Sequence, residues 1–292
     1  MTDFAGAVER VWPGREARVG VLGGGITNHN LKVEVDGESF VLRVAGKDTG
    51  LLGIDRTVEL AATEAAAVLG VGPEVVAFVE PEGWLVTRFV AGTIPPLERM
   101  REPAMLARVA GALRAFHEGP AIPGTFDSFR VVEAYRETAL ARGGRVSEAF
   151  DWAHALAMRI ETRRSADTVV PCHNDLLNAN FLDDGERLCI VDWEYAGIGD
   201  RFFDLANFSI NHELDRTQSE TLLGFYFGEV RGQDAHALEL MRFMSDFREA
   251  MWGVVQSAVS ALDFDFDGYA RDHFERLRRT AESAAFVAAL GA

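Results

Sequence analysis

The chain has 292 residues, enough to bury a large core without disulfide or metal staples, and 48% apolar with 25% charged residues is the mixture of a globular protein. A formal charge of −16 excludes a surface built to neutralise phosphates, so nucleic acid is not an expected partner. The two cysteines, Cys172 and Cys189, form no CxxC or zinc-spaced cluster, no apolar run reaches the ~20 residues of a membrane span, and the N-terminus lacks a leader pattern. These features predict a cytoplasmic protein with reduced thiols and no membrane partner, and they leave the oligomeric state open.

From the N-terminus, the segment Arg18 to Gly46 reads as consecutive antiparallel strands, with β-branched runs broken by glycines and by the turn pair Asp36-Gly37. A helix is predicted over Arg56 to Leu69, followed by strands at Glu74 to Val79 and Trp84 to Phe89. Phe89 to Pro96, with its Gly and paired prolines, marks a connection, which divides the chain into residues 1–91 and 92–292. Beyond it, amphipathic periodicity predicts helices over Glu102 to His117, Val131 to Arg142, Glu148 to Arg163, Thr217 to Val230, Ala237 to Leu262 and Gly268 to Leu290. Between the third and fourth helices, short apolar runs flank polar loops and an Asp184-Gly185 turn.

The chemistry-bearing residues cluster in that interval. His173, Asp175 and Asn180 fit HxDxxxxN, and Asp192 follows at the end of the apolar run LCIVD. Phosphoryl transfer needs a carboxylate to take the proton of the attacking hydroxyl and oxygen ligands to hold Mg²⁺ against ATP phosphates. Asp175 suits the first role, Asn180 and Asp192 the second. A lone Asp or Asn in a loop more often caps backbone donors; the complete spacing is what makes this set specific. Upstream, Gly23-Gly24-Gly25-Ile26-Thr27-Asn28 lies between two predicted strands, where glycines let backbone N–H groups approach phosphate and Thr and Asn add donors. It is not a Walker A loop, lacking the Gly-Lys-Ser/Thr tail.

With these motifs in view, the chain resembles the choline/ethanolamine kinase branch of the aminoglycoside phosphotransferase superfamily over about residues 18 to 275. GGITNHNLKV, VLRVAG with IDRTVE, HNDLLNANFL, VDWEYAGIGDRFFDLANF and the later MWGVVQ and FDFDGYA carry the resemblance. It implies an α+β, protein-kinase-like bilobal fold, with a small antiparallel sheet and one helix in the first lobe and a larger, mainly helical second lobe. It implies ATP- and Mg²⁺-dependent phosphorylation of the hydroxyl of choline, ethanolamine or a similar amino alcohol. The other readings are a kinase for another alcohol, such as an aminoglycoside, thiamine, a sugar or a homoserine-like compound, and an inactive binding module.

Residue by residue, the resemblance implies that Gly24, Gly25, Thr27 and Asn28 form the nucleotide loop. Arg43 contacts phosphate with Glu59 as its helix partner, and Arg88 lies at the adenine side. His173 is assigned to the catalytic loop with Asp175, holding it through hydrogen bonds, and Asp204 braces that loop. Glu194, Tyr195, Trp252 and Tyr269 would surround a cationic head group, held by cation–π contacts. The chain departs from the branch at Val255, where many relatives have a second tryptophan, and at Asn211, where they have an acid.

Overall fold

The computed structural model describes residues 4–23, 28–46, 49–164, 169–260 and 262–291. Gly24, Gly25 and Thr27 of the expected nucleotide loop lie outside the described residues. The first lobe runs α1 (Phe4–Val11), β1 (Ala17–Leu22), β2 (His29–Val35), β3 (Glu38–Val44), a 3-10 turn (Thr49–Leu52), α2 (Arg56–Val68), β4 (Val75–Val79) and β5 (Trp84–Arg88). The strands form one antiparallel sheet in the order β1-β2-β3-β5-β4. Asp36 and Gly37 both have positive φ, 53° and 84°, as a two-residue hairpin turn that follows the strand twist requires.

Strand parity assigns the two faces of this sheet. Leu31, Val33 and Val35 of β2 and Phe40, Leu42 and Val44 of β3 are buried in a core that also takes Ala7 and Val8 of α1. The intervening positions Val41 and Arg43 therefore face the opposite way, into the cleft between the lobes. The first lobe thus has two helices where the sequence reading gives one: α1, only eight residues long with Glu9 and Arg10 among its apolar positions, covers the sheet's outer face.

The second lobe contains α3 (Leu97–Met100), α4 (Pro103–His117), α5 (Ser128–Ala141), α6 (Ala149–Arg164), β6 (Val169–Cys172), β7 (Phe181–Asp183), β8 (Leu188–Ile190), β9 (Gly197–Asp200), α7 (Arg201–Asn211), α8 (Arg216–Phe227), α9 (Gly232–Val259), α10 (Phe266–Glu282) and α11 (Ala284–Gly291). Two short antiparallel pairs, β6 with β9 and β7 with β8, carry the polar loops. They rest on a helical core in which the long α9 packs against α5, α7 and α10. Among the described residues no helix is long and apolar enough to cross a membrane.

The helices differ from the expectations in two places. The single helix expected over Gly268 to Leu290 is divided at Ser283, which takes extended backbone (ψ 143°), and its Oγ accepts the Phe286 N–H, starting α11 afresh. The helix α7 lies outside the predicted helices; it buries every residue from Phe202 to Ile210, the polar Asp204, Asn207 and Ser209 among them. Its start is marked by Asp200, whose carboxylate accepts the Phe202 N–H.

The connection between the lobes is pinned to the second lobe. Thr93 and Asp183 exchange both backbone hydrogen bonds, at 3.0 and 2.9 Å, and the buried Asp183 carboxylate is ion-paired with Arg99 and Arg108. Gly92 sits against this bridge, where an added Cβ would lie 3.1–3.2 Å from backbone atoms of Asp183. Gly92→Ala is expected to cost about 1–3 kcal/mol by overpacking. In urea denaturation the midpoint should fall at unchanged m value; wild-type stability would show that the connection yields freely.

Candidate active site

The catalytic loop leaves β6 at Cys172 and turns sharply, with Asn174 at φ 66°. The turn is held by Asp204 of α7. Its two carboxylate oxygens accept the backbone N–H groups of His173 (2.8 Å) and Asn174 (2.7 Å), and His117 Nε2 lies 3.0 Å from one of them. Burial alone pushes the Asp204 pKa up, but the His117 hydrogen bond and charge and the backbone donors outweigh it and hold the group below the usual carboxylate range. His117 is fixed in turn by Tyr226 Oη at 2.7 Å. About one helical turn further along α7, Asn207 accepts the Leu176 N–H and donates to Ser245 of α9 at 2.9 Å.

Both ring nitrogens of His173 are engaged with the backbone. Its Nε2–H donates to the Val191 carbonyl at 3.0 Å and its Nδ1 accepts the Asp175 N–H at 3.2 Å, a neutral tautomer that burial favours by lowering its pKa. It fixes the spacing between the catalytic loop and the strand end that carries Asp192, and Asp175 is left as the one ionisable side chain of the HxD motif facing the acceptor side. Burial raises the Asp175 pKa to about 8, against the opposing pull of the Arg248 guanidinium, whose Nη1 lies 3.2 Å from its carboxylate. That is the range in which a carboxylate takes a hydroxyl proton efficiently near neutral pH.

Asn180 and Asp192 reach the same cleft from the two sides of the β7–β8 hairpin, joined by the Val191 N–H to the Asn180 carbonyl at 2.9 Å. The Asn180 amide nitrogen donates to the Asp175 carbonyl at 2.8 Å, which turns its amide oxygen toward the cleft. Asp192 stands at φ 69°, a left-handed conformation that Asp and Asn tolerate better than other side chains, and its buried Oδ1 is ion-paired with Arg43 Nη1 at 3.0 Å but accepts no well-aligned hydrogen bond. An amide oxygen and an under-satisfied carboxylate suit a hard cation such as Mg²⁺.

The cleft, of about 460 Å³, is roofed by Leu22, Val41 and Leu85 and floored by Ala179, Leu182 and Val191, with Arg88, Phe89, Val90 and Gly92 along its back. Arg88 also pairs with Glu38 at 2.6 Å. Arg43 lies at the inner end, hydrogen-bonded to the buried Glu59 of α2 and 3.0 Å from Asp192 Oδ1. Burial works against its charge, but Asp192, Glu59 and Glu194 together keep the guanidinium firmly protonated.

Glu194 and Asn28 meet here as well. Asn28 Nδ2 donates to Glu194 at 2.8 Å, while Arg56 reaches Asn28 Oδ1 (2.9 Å), Glu59 (2.6 Å) and Glu194 (3.3 Å). Two residues expected on opposite substrates are thus bonded to each other, and Arg56, the first residue of α2, links the lobes. Burial and nearby Asp192 raise the Glu194 pKa to about 7, opposed by Arg43.

On the acceptor side the structure gathers Tyr195, Trp252 and Tyr269. Trp252 Nε1 donates to Tyr195 Oη at 2.9 Å, and the Trp252 and Tyr269 rings meet edge-on at 5.5 Å. Sequence reasoning missed Arg248 and Glu249, which enter the same group from α9. The Arg248 guanidinium stacks 4.3 Å over the Tyr195 ring and bonds to Glu249, whose other oxygen accepts the Tyr269 hydroxyl at 2.7 Å. Their signal was spacing: they precede Trp252 by four and three residues on one helix, so they share its face, as charges inside an otherwise apolar run. At the departure noted from sequence, Asn211 accepts from Arg276, which also binds Asp246.

A sheet lobe over a helical lobe, with an Asp/Asn/Asp set opening on the cleft between them, is the layout of a protein-kinase-like phosphotransferase. The chain belongs to the phosphotransferase enzyme family, whose model matches residues 18–239. It is 27% identical over 246 residues to Protein LicA of Haemophilus influenzae, covering 80% of this chain and 72% of that protein, and 27% identical over 299 residues to ethanolamine kinase 2 of Mus musculus, covering 91% and 76%. The crystal structure of a choline/ethanolamine kinase family protein from Mesorhizobium loti superimposes with a TM-score of 0.84 at 30% identity, over 99% of this chain and 97% of that one.

Asp204→Asn keeps the shape but replaces one acceptor oxygen by a donor facing N–H groups, and should cost about 2–5 kcal/mol at neutral pH. Because the folded-state pKa of Asp204 is lowered, its contribution is present above the usual carboxylate range and lost as pH falls through the folded value. Urea midpoints measured down through about pH 4 should therefore show a smaller acid-side loss in the variant; parallel curves would mean that Asp204 is not charged.

Proposed function

We propose that the chain is an ATP- and Mg²⁺-dependent kinase that phosphorylates the hydroxyl of a small alcohol of amino-alcohol size. The observation that carries this reading is Asp175, buried with its pKa raised to about 8 and held between Asn180, which lines the cleft, and Arg248, which covers the Tyr195 ring. The relatives' names, LicA and ethanolamine kinase 2, support choline, ethanolamine or a similar compound as the starting set of acceptors.

In this mechanism ATP lies along the cleft with its adenine against the connection at Phe89 and Val90 and its phosphates toward Arg43. Asn180 and Asp192 would hold Mg²⁺, which neutralises charge on the phosphates when bound. Asp175 accepts a hydrogen bond from the acceptor hydroxyl and takes its proton as the oxygen attacks the γ-phosphorus and the bond to the β–γ bridging oxygen breaks. Glu59 orients Arg43 toward the transferring group, and His173 and Asp204 keep Asp175 in line without touching substrate.

A folded Asp175→Asn protein should lose roughly 10²–10⁴-fold in kcat. Since the proton acceptor must be ionised, wild-type kcat/KM should fall as pH drops below about 8. ATP with Mg²⁺ should raise the melting temperature of the wild type, and Asp192→Ala should remove the Mg²⁺-dependent part of that rise. Full activity of Asp175→Asn, or a Tm shift indifferent to Mg²⁺ and to Asp192, would sink the assignment.

A further inference from the structure

A pocket meant only for a positive head group should contain rings and acids. This one contains its own cation. Arg248 is about 1% exposed and its guanidinium covers the face of Tyr195 at 4.3 Å, the position that an ammonium would otherwise take over that ring. A buried guanidinium is ordinarily retained where every N–H finds an acceptor, because leaving them unpaired is costly. Here only Nη1 is used, shared between Glu249 and Asp175. Nε and Nη2 are buried and bond to no acceptor among the described residues.

Those two N–H groups form one side of the guanidinium fork, the edge that chelates a carboxylate through two parallel hydrogen bonds. The surroundings do not offer a protein carboxylate for it. Glu249 and Asp175 are both engaged at Nη1, and Glu194 is committed to Asn28 and Arg56. Glu249 is held ionised, burial notwithstanding, by Arg248, by His273 and by the Tyr269 hydroxyl, so a second charged centre of opposite sign sits beside the guanidinium. A cavity of about 160 Å³ between the lobes is bounded by Tyr135, Glu194 and Tyr195.

We propose that Arg248 is a specificity-determining residue and that the acceptor is an amino alcohol that also carries a carboxylate, bound by the Nε–Nη2 edge of Arg248 with its hydroxyl toward Asp175. The inference rests on the kinase reading above and narrows its acceptor. The ionised Glu249 beside the guanidinium supplies negative charge that favours the ammonium of such a zwitterion, and a carboxylate-free amino alcohol leaves the Arg248 edge unpaired.

Two matched pairs isolate the carboxylate in the wild-type protein: ethanolamine against L-serine, and 3-aminopropan-1-ol against L-homoserine. With ATP and Mg²⁺, the carboxylate-bearing member of at least one pair should have the higher kcat/KM by about tenfold or more, the scale of a charge-assisted bidentate contact. Arg248→Lys keeps a charge beside Asp175 but removes the fork, and should collapse that ratio toward one chiefly through KM. Calorimetry on protein saturated with Mg²⁺ and a non-hydrolysable ATP analogue gives the same comparison without turnover and without any variant. Tighter binding of L-serine or L-homoserine with no phosphorylation of any compound would uphold the acceptor class and overturn the kinase reading. Equal or stronger binding and turnover of the carboxylate-free members, or of choline, would overturn the role of Arg248.

Discussion

Asp204 is fully enclosed by protein and still ionised, because the loop it supports supplies the hydrogen bonds that water would have given. The dependence is mutual. The backbone N–H groups of His173 and Asn174 both reach the Asp204 carboxylate across the left-handed turn at Asn174, and the following Asp175 is placed beside Asn180 and Arg248. A short loop with a positive-φ residue is unfavourable on its own; a charged acceptor beneath it makes one conformation far better than the rest. Tyr226 from α8, His117 from α4 and Asp204 from α7 form a chain of hydrogen bonds that ends at the catalytic loop, so the packing of three helices sets the position of one carboxylate.

The two lobes are joined by a comparable arrangement with the opposite balance of charge. Arg43 and Arg56 face Glu59, Asp192 and Glu194, three carboxylates for two guanidinium groups. Burial, with the excess negative charge of nearby Asp192 added to it, raises the Glu194 pKa toward neutrality. Buried ion pairs of this kind add little net stability but fix geometry, since any shift of α2 against the β7–β8 hairpin separates charges in a medium that screens them weakly. The position of Arg43 over the cleft thus depends on strand parity in β3 and on the acids that hold it there.

Much of this was legible in the chain. Alternation in KVEV and FVLRV places Arg43 opposite the sheet core, the Asp36-Gly37 pair forms the hairpin, and the HxDxxxxN spacing with Asp192 at the end of an apolar run identifies a set that the fold brings together. What stayed hidden had at most a faint local signature. The helix α7 buries its polar side chains Asp204, Asn207 and Ser209 along with its apolar ones, and α1 is only eight residues long. Arg248 and Glu249 look in sequence like an ordinary charged pair on a helix surface. Only the packing of α9 against α5, α7 and α10 buries them, and only tertiary structure puts them on Asp175, Tyr195 and Tyr269. Glu194 shows the converse: its motif placed it by the acceptor, while its hydrogen bonds run to Asn28 and Arg56 in the other lobe.

The left-handed backbone at Asp192 has an evolutionary corollary. At φ 69° the side chains tolerated without strain are few, chiefly glycine, asparagine and aspartate. Selection for the fold alone therefore admits a short alphabet at this site, and only one letter of it provides a full negative charge. A descendant that exchanged Asp192 for asparagine would keep the turn and the hairpin around it while losing the anionic ligand. Architecture and chemistry are separable there by a single replacement, which gives this lineage a direct path from enzyme to silent nucleotide-cleft protein with no unfolded intermediate sequence between them.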